Sequence, residues 1–147
     1  MSPRALGEKW GLPILDDKTR EFFSAGRLRV QACKTCDAVQ HPPEDVCRAC
    51  GGHELGFVDA GETGTVHSCI VVHHAVTPAL TDRIPYAVLL VVPDAAPGVR
   101  LVGNLVGSAA DTVSIGDRVR AVFEAVTIED PAANTGETLK IPQWELA

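Results

Sequence analysis

Beyond Gly61 the apolar residues of this chain fall into short alternating or β-branched runs: GTVHSCIVVHHAV, PYAVLLVVPD, VRLVGNLVG, DRVRAVFEAV and TLKIPQWEL. Such runs read as strands. The stretches between them, TPALTDRI, DAAPG, SAADTVSIG and IEDPAANTGE, carry the Gly, Pro, Asp and Asn that turns require. Five strands at this spacing predict a small closed barrel, and an OB-like barrel is the commonest five-stranded solution. Gly64, Gly103 and Gly107 are expected at bends or bulges where strands curl. Ahead of the barrel, RLRVQAC and HELGFVDA predict two more strands, which flank a cysteine-rich stretch. Earlier still, Thr19 to Ala25 reads as a short amphipathic helix, with Asp16 and Asp17 near its start and Gly26 as its stop. The predicted fold is mainly β, with an N-terminal helical segment over residues 1–26, a cysteine-rich ribbon over 27–58 and the OB-like domain over 59–147.

The cysteine-rich stretch changes this picture from packing to chemistry. Four of the five cysteines stand in two CxxC pairs, Cys33 with Cys36 and Cys47 with Cys50, ten residues apart. A disulfide framework belongs to short secreted chains with a signal sequence, whereas the N-terminus here is charged and has no apolar core. A redox dithiol needs only one CxxC and leaves the second pair unexplained. Two knuckles of this spacing can complete a tetrahedral four-cysteine shell around Zn²⁺, with an iron centre as the minor alternative. Gly51 and Gly52 follow the second knuckle, where tight turns favour residues that tolerate positive φ. Four thiolates leave no open position for water, so the zinc is expected to be structural. His41 and His53 are expected at the surface or beside the ligands rather than among them.

Composition and charge bound the function classes. The chain is 46% hydrophobic, and none of its apolar runs approaches the length needed to span a bilayer. Its cysteine usage suits a reducing cytoplasm. Residues 1–50 hold eight Lys/Arg and seven Asp/Glu, while residues 51–147 hold five and twelve, a net of minus seven. A single-strand-binding barrel needs a basic groove interleaved with stacking aromatics. Here the second half offers Phe57, Tyr86, Phe123 and Trp144 on an acidic background. A nucleic-acid-binding zinc-ribbon/OB-fold protein is therefore the alternative reading, and no nucleic-acid or membrane partner is expected.

The order LPILDDKTREFF, GRLRVQACKTC, HPPEDVCRACGG, GTVHSCIVVH, IPYAVLLVV, GVRLVGNLVG, IGDRVRAVFE and LKIPQWEL resembles the zinc-ribbon plus OB-fold proteins of the domain-of-unknown-function-35 family, over about residues 12–146. The resemblance implies an N-terminal helical hairpin, a rubredoxin-like zinc ribbon with Cys33, Cys36, Cys47 and Cys50 as ligands, and a C-terminal OB-like barrel. It also implies a small noncatalytic partner of acyl-CoA enzymes in lipid metabolism. These are above all thiolase-like proteins that perform thiolysis or retro-aldol cleavage, including that of steroid side chains. Some relatives are fused to hydratase-like proteins, and the family supplies no catalytic residue to transfer.

The residues agree with a noncatalytic chain. There is no Gly-rich phosphate loop, no GxSxG and no HExxH. His73 and His74 are expected on the first barrel strand, where neighbours face opposite ways. Cys69 reads as a small buried hydrophobe. The partner interface is expected at the chain ends. Leu12, Ile14, Leu15, Phe22 and Phe23 precede a ribbon with little core to offer, and Trp144 follows Pro142, which favours an edge position and an outward indole. The alternative is that Phe22, Phe23 and Trp144 pack within the chain.

Overall fold

The structure is a computed structural model that describes residues 4–128 and 137–147. The turn expected over residues 128–137 lies almost wholly outside the described residues. One five-residue helix, α1 (Arg20–Ser24), leads into a three-stranded antiparallel sheet of β1 (Arg29–Cys33), β2 (Val39–Gln40) and β3 (Leu55–Asp59), in the order β2-β1-β3. The second sheet holds β4 (Thr63–Val72), β5 (Tyr86–Pro93), β6 (Leu101–Asn104), β7 (Arg118–Thr127) and β8 (Thr138–Leu146), in the order β6-β5-β4-β7-β8. All five runs read from the alternation are therefore strands. The implied helical hairpin is not seen, because α1 is the one α-helix among the described residues.

Strand β5 shows why the barrel forms. Ala87, Leu89, Val91 and Pro93 point inward and are buried, while Tyr86, Val88, Leu90 and Val92 alternate on the other face. The barrel closes where Leu105 and Trp144 form a parallel bridge and the Val106 N–H donates to the Trp144 carbonyl at 2.8 Å. This closure corrects the expectation for Trp144. Its indole points inward and is fully buried, because joining β8 to the end of β6 turns the supposed edge into a seam. Gly103 makes room for it, since a Cβ there would stand 2.8 Å from the indole ring.

The glycines do not all bend the chain. The irregularity in β4 falls between Val66 and Ser68 and not at Gly64. Gly64 is instead a point of close approach, where a Cβ would lie 2.6 Å from the Val92 carbonyl oxygen. His73 and His74 lie past the end of β4 and both are exposed, so strand alternation does not separate them.

One hydrophobic core runs through both sheets. Phe22, Leu28 and Val30 from the ribbon side join Val66, Leu89, Val91, Val119 and Trp144 from the barrel. The ribbon therefore has a core to offer, and Phe22 is buried in it rather than presented to a partner, with its ring edge-on to Phe23 at 5.0 Å. Arg29 ties α1 to the ribbon through Glu21 at 3.0 Å and Asp59 at 3.2 Å, and Arg20 pairs with Glu137 just before β8.

The buried indole generates a test. Trp144→Ala empties the seam and is expected to cost about 3–5 kcal/mol in urea unfolding. Trp144→Phe should cost much less, because Nε1 is buried without a hydrogen-bond partner among the described residues and its removal relieves an unsatisfied donor. Equal, small losses for both variants would show that the side chain is not a core element.

Candidate metal centre

The two knuckles are built alike by local backbone chemistry. In the first, the Asp37 N–H donates to the Cys33 carbonyl at 2.9 Å, and in the second the Gly51 N–H donates to the Cys47 carbonyl at 2.9 Å. The residue after each second cysteine is left-handed, Asp37 at φ 63° and Gly51 at φ 76°. Asp37 was not foreseen from the sequence, although Asp is among the few side chains that tolerate this conformation. Gly52 serves differently, since a Cβ there would stand 3.2 Å from Cys50 Sγ. A buried pair positions the loop between the knuckles. Gln40 Nε2 donates to Gln31 Oε1 at 2.7 Å, and Gln31 in turn bonds both backbone groups of Glu44 at 2.9 Å.

These turns bring the four sulfurs of Cys33, Cys36, Cys47 and Cys50 within 4.8 Å of one another. Cys33 and Cys50 approach to 3.6 Å and Cys36 and Cys47 to 3.7 Å. A tetrahedron with Zn–S distances near 2.3 Å has edges of about 3.8 Å, so the cluster has the dimensions of a zinc site. Backbone N–H groups aim at the sulfurs, among them Thr35 to Cys33 and Gly52 to Cys50, each at 3.4 Å.

The protonation pattern shows why a cation belongs there. Donation from the Cys36 and Thr35 amides holds the Cys33 thiol down, at about 6. The Cys50 amide, with help from that of Ala49, lowers Cys47 as well. Cys36 moves the other way, up to about 12: the Ala38 amide opposes the rise, but burial and the neighbouring sulfurs outweigh it. Cys50 is likewise raised, against the Gly52 amide, chiefly by Cys33. Two thiols are shifted toward the thiolate and two away from it, and a divalent cation among the sulfurs would favour the thiolate at all four. The four thiolates would then fill the shell, so the ion is structural and supplies no open position for chemistry. His53 is exposed. His41 packs its ring on Phe22 at 4.7 Å, with Nδ1 buried and without a hydrogen-bond partner among the described residues.

The expected interface residues are not brought together as one exposed patch. Ile14 is 91% exposed, Leu12 and Phe23 are half-buried, and Phe22 and Trp144 are core. Phe57, Tyr86 and Phe123 are half-buried, so none of the barrel half's four aromatics forms an open stacking platform. No helix among the described residues is long and apolar enough to cross a membrane.

A four-cysteine ribbon whose core is continuous with a five-stranded closed barrel defines a zinc-ribbon plus OB-fold protein. The model of the rubredoxin-like zinc ribbon domain of ChsH2 matches residues 20–56, and that of the C-terminal OB-fold domain of ChsH2 matches residues 57–124. The chain belongs to this ChsH2-type family of domain-of-unknown-function-35 proteins. A solved structure described as Ltp2-ChsH2(DUF35) aldolase matches with a TM-score of 0.72 at 35% identity, covering 92% of this chain and 98% of that one. A probable enoyl-CoA hydratase alpha subunit of Thermomonospora curvata is 39% identical over 117 residues, 78% of this chain and 34% of that protein. A DUF35 domain-containing scaffold protein of Methanocaldococcus jannaschii is 28% identical over 95 residues, 64% of this chain and 65% of that protein. The chain thus aligns with about a third of the length of the first of these two relatives and just under two thirds of the second.

Two outcomes are expected. Freshly purified protein should carry about one zinc per chain, and Cys47→Ser should lower that content and unfold the ribbon. Structural zinc contributes on the order of 10–16 kcal/mol in small modules. Full zinc content and an unchanged melt in the variant would contradict the site. The second outcome concerns His41, whose imidazole is pushed down to about 4, mainly by burial and further by the charge of Arg48. Above pH 6.5 it is neutral in both the folded and the unfolded chain, so its contribution is fully present there. Between 6.5 and about 4 only the unfolded chain takes up the proton, and roughly 3 kcal/mol of stability is lost. Unfolding free energies of the parent and His41→Phe, measured from pH 7 to pH 4.5, should diverge in that window; parallel curves would remove His41 as the cause.

Proposed function

We propose that the chain is a noncatalytic accessory subunit of an acyl-CoA-processing complex. In this reading a thiolase-like partner performs retro-aldol cleavage or thiolysis of an acyl-CoA, a steroid side chain being one candidate, and the acyl-CoA reaches this chain only through that partner. The observation that carries the proposal is the match to a chain of the Ltp2-ChsH2(DUF35) aldolase structure over nearly the whole of both chains. The scaffold description of the archaeal relative supports a role in assembly, and the hydratase subunit supports acyl-CoA chemistry with a different partner. The metal centre fits the same role, since four thiolates make a rigid support rather than a reactive site.

Ile14, Leu12 and Phe23 are the interface residues that remain from the chain's N-terminal end. Ile14 stands almost free of the chain, and apolar side chains so exposed contribute to affinity when a partner covers them. The acidic barrel half argues against a phosphate backbone as that partner.

Co-purification of the tagged chain from its native host tests the proposal. A thiolase-like protein in stoichiometric amount is expected, and the complex, but not the isolated chain, should turn over an acyl-CoA. Ile14→Asp should weaken the complex at least several-fold while leaving zinc content and melting unchanged. Acyl-CoA turnover by the isolated chain would refute the noncatalytic assignment. Submicromolar binding of single-stranded DNA that weakens steeply with salt would favour the nucleic-acid alternative.

A further inference from the structure

Residues 4–13 form an arch over the barrel that is held by an unusual set of buried polar groups. The Arg4 guanidinium donates to the carbonyls of Trp10 at 2.8 Å, Glu8 at 3.3 Å and Gly11 at 3.4 Å, and so curls the segment on itself. The Ala5 N–H donates to Glu124 Oε2 at 2.7 Å, and Gln143 Nε2 donates to Glu124 Oε1 at 2.8 Å. Gln143 Oε1 accepts the Asn104 N–H at 2.6 Å, and Asn104 Nδ2 donates to the Ala87 carbonyl at 3.1 Å. Arg4, Glu124, Gln143 and Asn104 are each at least nine-tenths buried. Four such side chains from the arch, β6, β7 and β8 converge on one side of the barrel.

They do not fill the space between them. A pocket of about 320 Å³ lies under the arch, lined by these four side chains and by the apolar surfaces of Leu6, Trp10, Leu12 and Ile141, among others. A concave site with apolar walls and a few converging polar groups is the usual form of a small-molecule or peptide subsite. The polar groups retain capacity. Each Glu124 oxygen has one donor and can accept a second, Gln143 Nε2 and Asn104 Nδ2 each keep a second hydrogen, and Arg4 Nε is buried without a partner among the described residues.

We propose that this pocket binds a secondary amide carried on a short apolar chain. One Arg and one Glu line the same space, so their formal charges offset and the site is matched to a neutral group rather than an ion. An amide N–H can donate to Glu124 while its carbonyl accepts from the Gln143 or Asn104 carboxamide, and the alkyl flanks lie on Trp10, Leu12 and Ile141. Glu124 already accepts a peptide N–H from Ala5, which is the same recognition made within the chain. The site is independent of the accessory-subunit reading and rests on no property of the complex.

The amide has two possible sources, a polypeptide segment or a small molecule, and the test has an arm for each. The full-length, zinc-loaded chain is titrated with N-acetylalanine methylamide and separately with N-butylacetamide. Trp10 fluorescence and the amide resonances of Ala5, Asn104 and Glu124 are followed. Saturable binding in the millimolar range is expected in at least one arm, and the tighter arm identifies the source. Butyl acetate has the shape of N-butylacetamide but no N–H, and should bind about tenfold more weakly or not at all, since hydrogen bonds to charged groups are among the stronger ones. Glu124→Gln should weaken amide binding by a similar factor. Trp10→Ala removes a wall without touching the polar network, and should weaken binding several-fold even if Glu124→Gln fails to fold. No saturable response from either amide, or equal binding of the ester, would overturn the proposal.

Discussion

Four sulfurs within 4.8 Å of one another cannot all carry negative charge unless a cation stands between them. That electrostatic requirement organises the first third of the molecule. The backbone turns at Asp37 and Gly51 aim amides at the sulfurs and lower the pKa of Cys33 and Cys47, while those of Cys36 and Cys50 are raised by the neighbouring sulfurs. Strands β1 to β3 are short and contribute few large side chains, so the ligand shell supplies the rigidity that a larger core would supply elsewhere.

The ribbon is nevertheless not an independent bead. Leu28 and Val30 continue the core that runs through Leu89 and Val119 to Trp144, and Phe22 from α1 joins it. This shared core alters the surface available for assembly. Phe22 and Trp144 hold the two sheets together, and what remains outside near the N-terminal end is Trp10 and Ile14, with Leu12 and Phe23 half-covered. A subunit built this way presents a fixed surface instead of a loose helix that folds on contact.

What could be read from the sequence was whatever a local pattern encodes. The spacing of Cys33, Cys36, Cys47 and Cys50 specifies a tetrahedral shell because each knuckle needs only its own turn, and β5 is legible as a strand because it is a short, β-branched apolar run bounded by turn residues. The direction of Trp144 was not legible, since it depends on a bridge to Leu105, far away in the chain, that turns an edge into a seam. Phe22 was misjudged for a related reason: the ribbon seemed coreless only when taken apart from the barrel. The polar group under the N-terminal arch was missed altogether. Ala5 and Glu124 are 119 residues apart, and no run of charged or amide residues signals their meeting.

The central claim is a division of labour, in which the metal holds the ribbon and the barrel holds itself. Amide hydrogen exchange with and without a zinc chelator measures it residue by residue. On metal removal, protection should collapse at Cys33, Cys47 and Gly51, whose N–H groups close the knuckles, and at Lys34, whose N–H bonds across the ribbon to Glu54, while the β7–β8 ladder around Ala121 to Glu124 stays within a few-fold of its starting rates. Ribbon amides that keep their protection after the metal is gone, or a barrel ladder that opens together with them, would contradict this account.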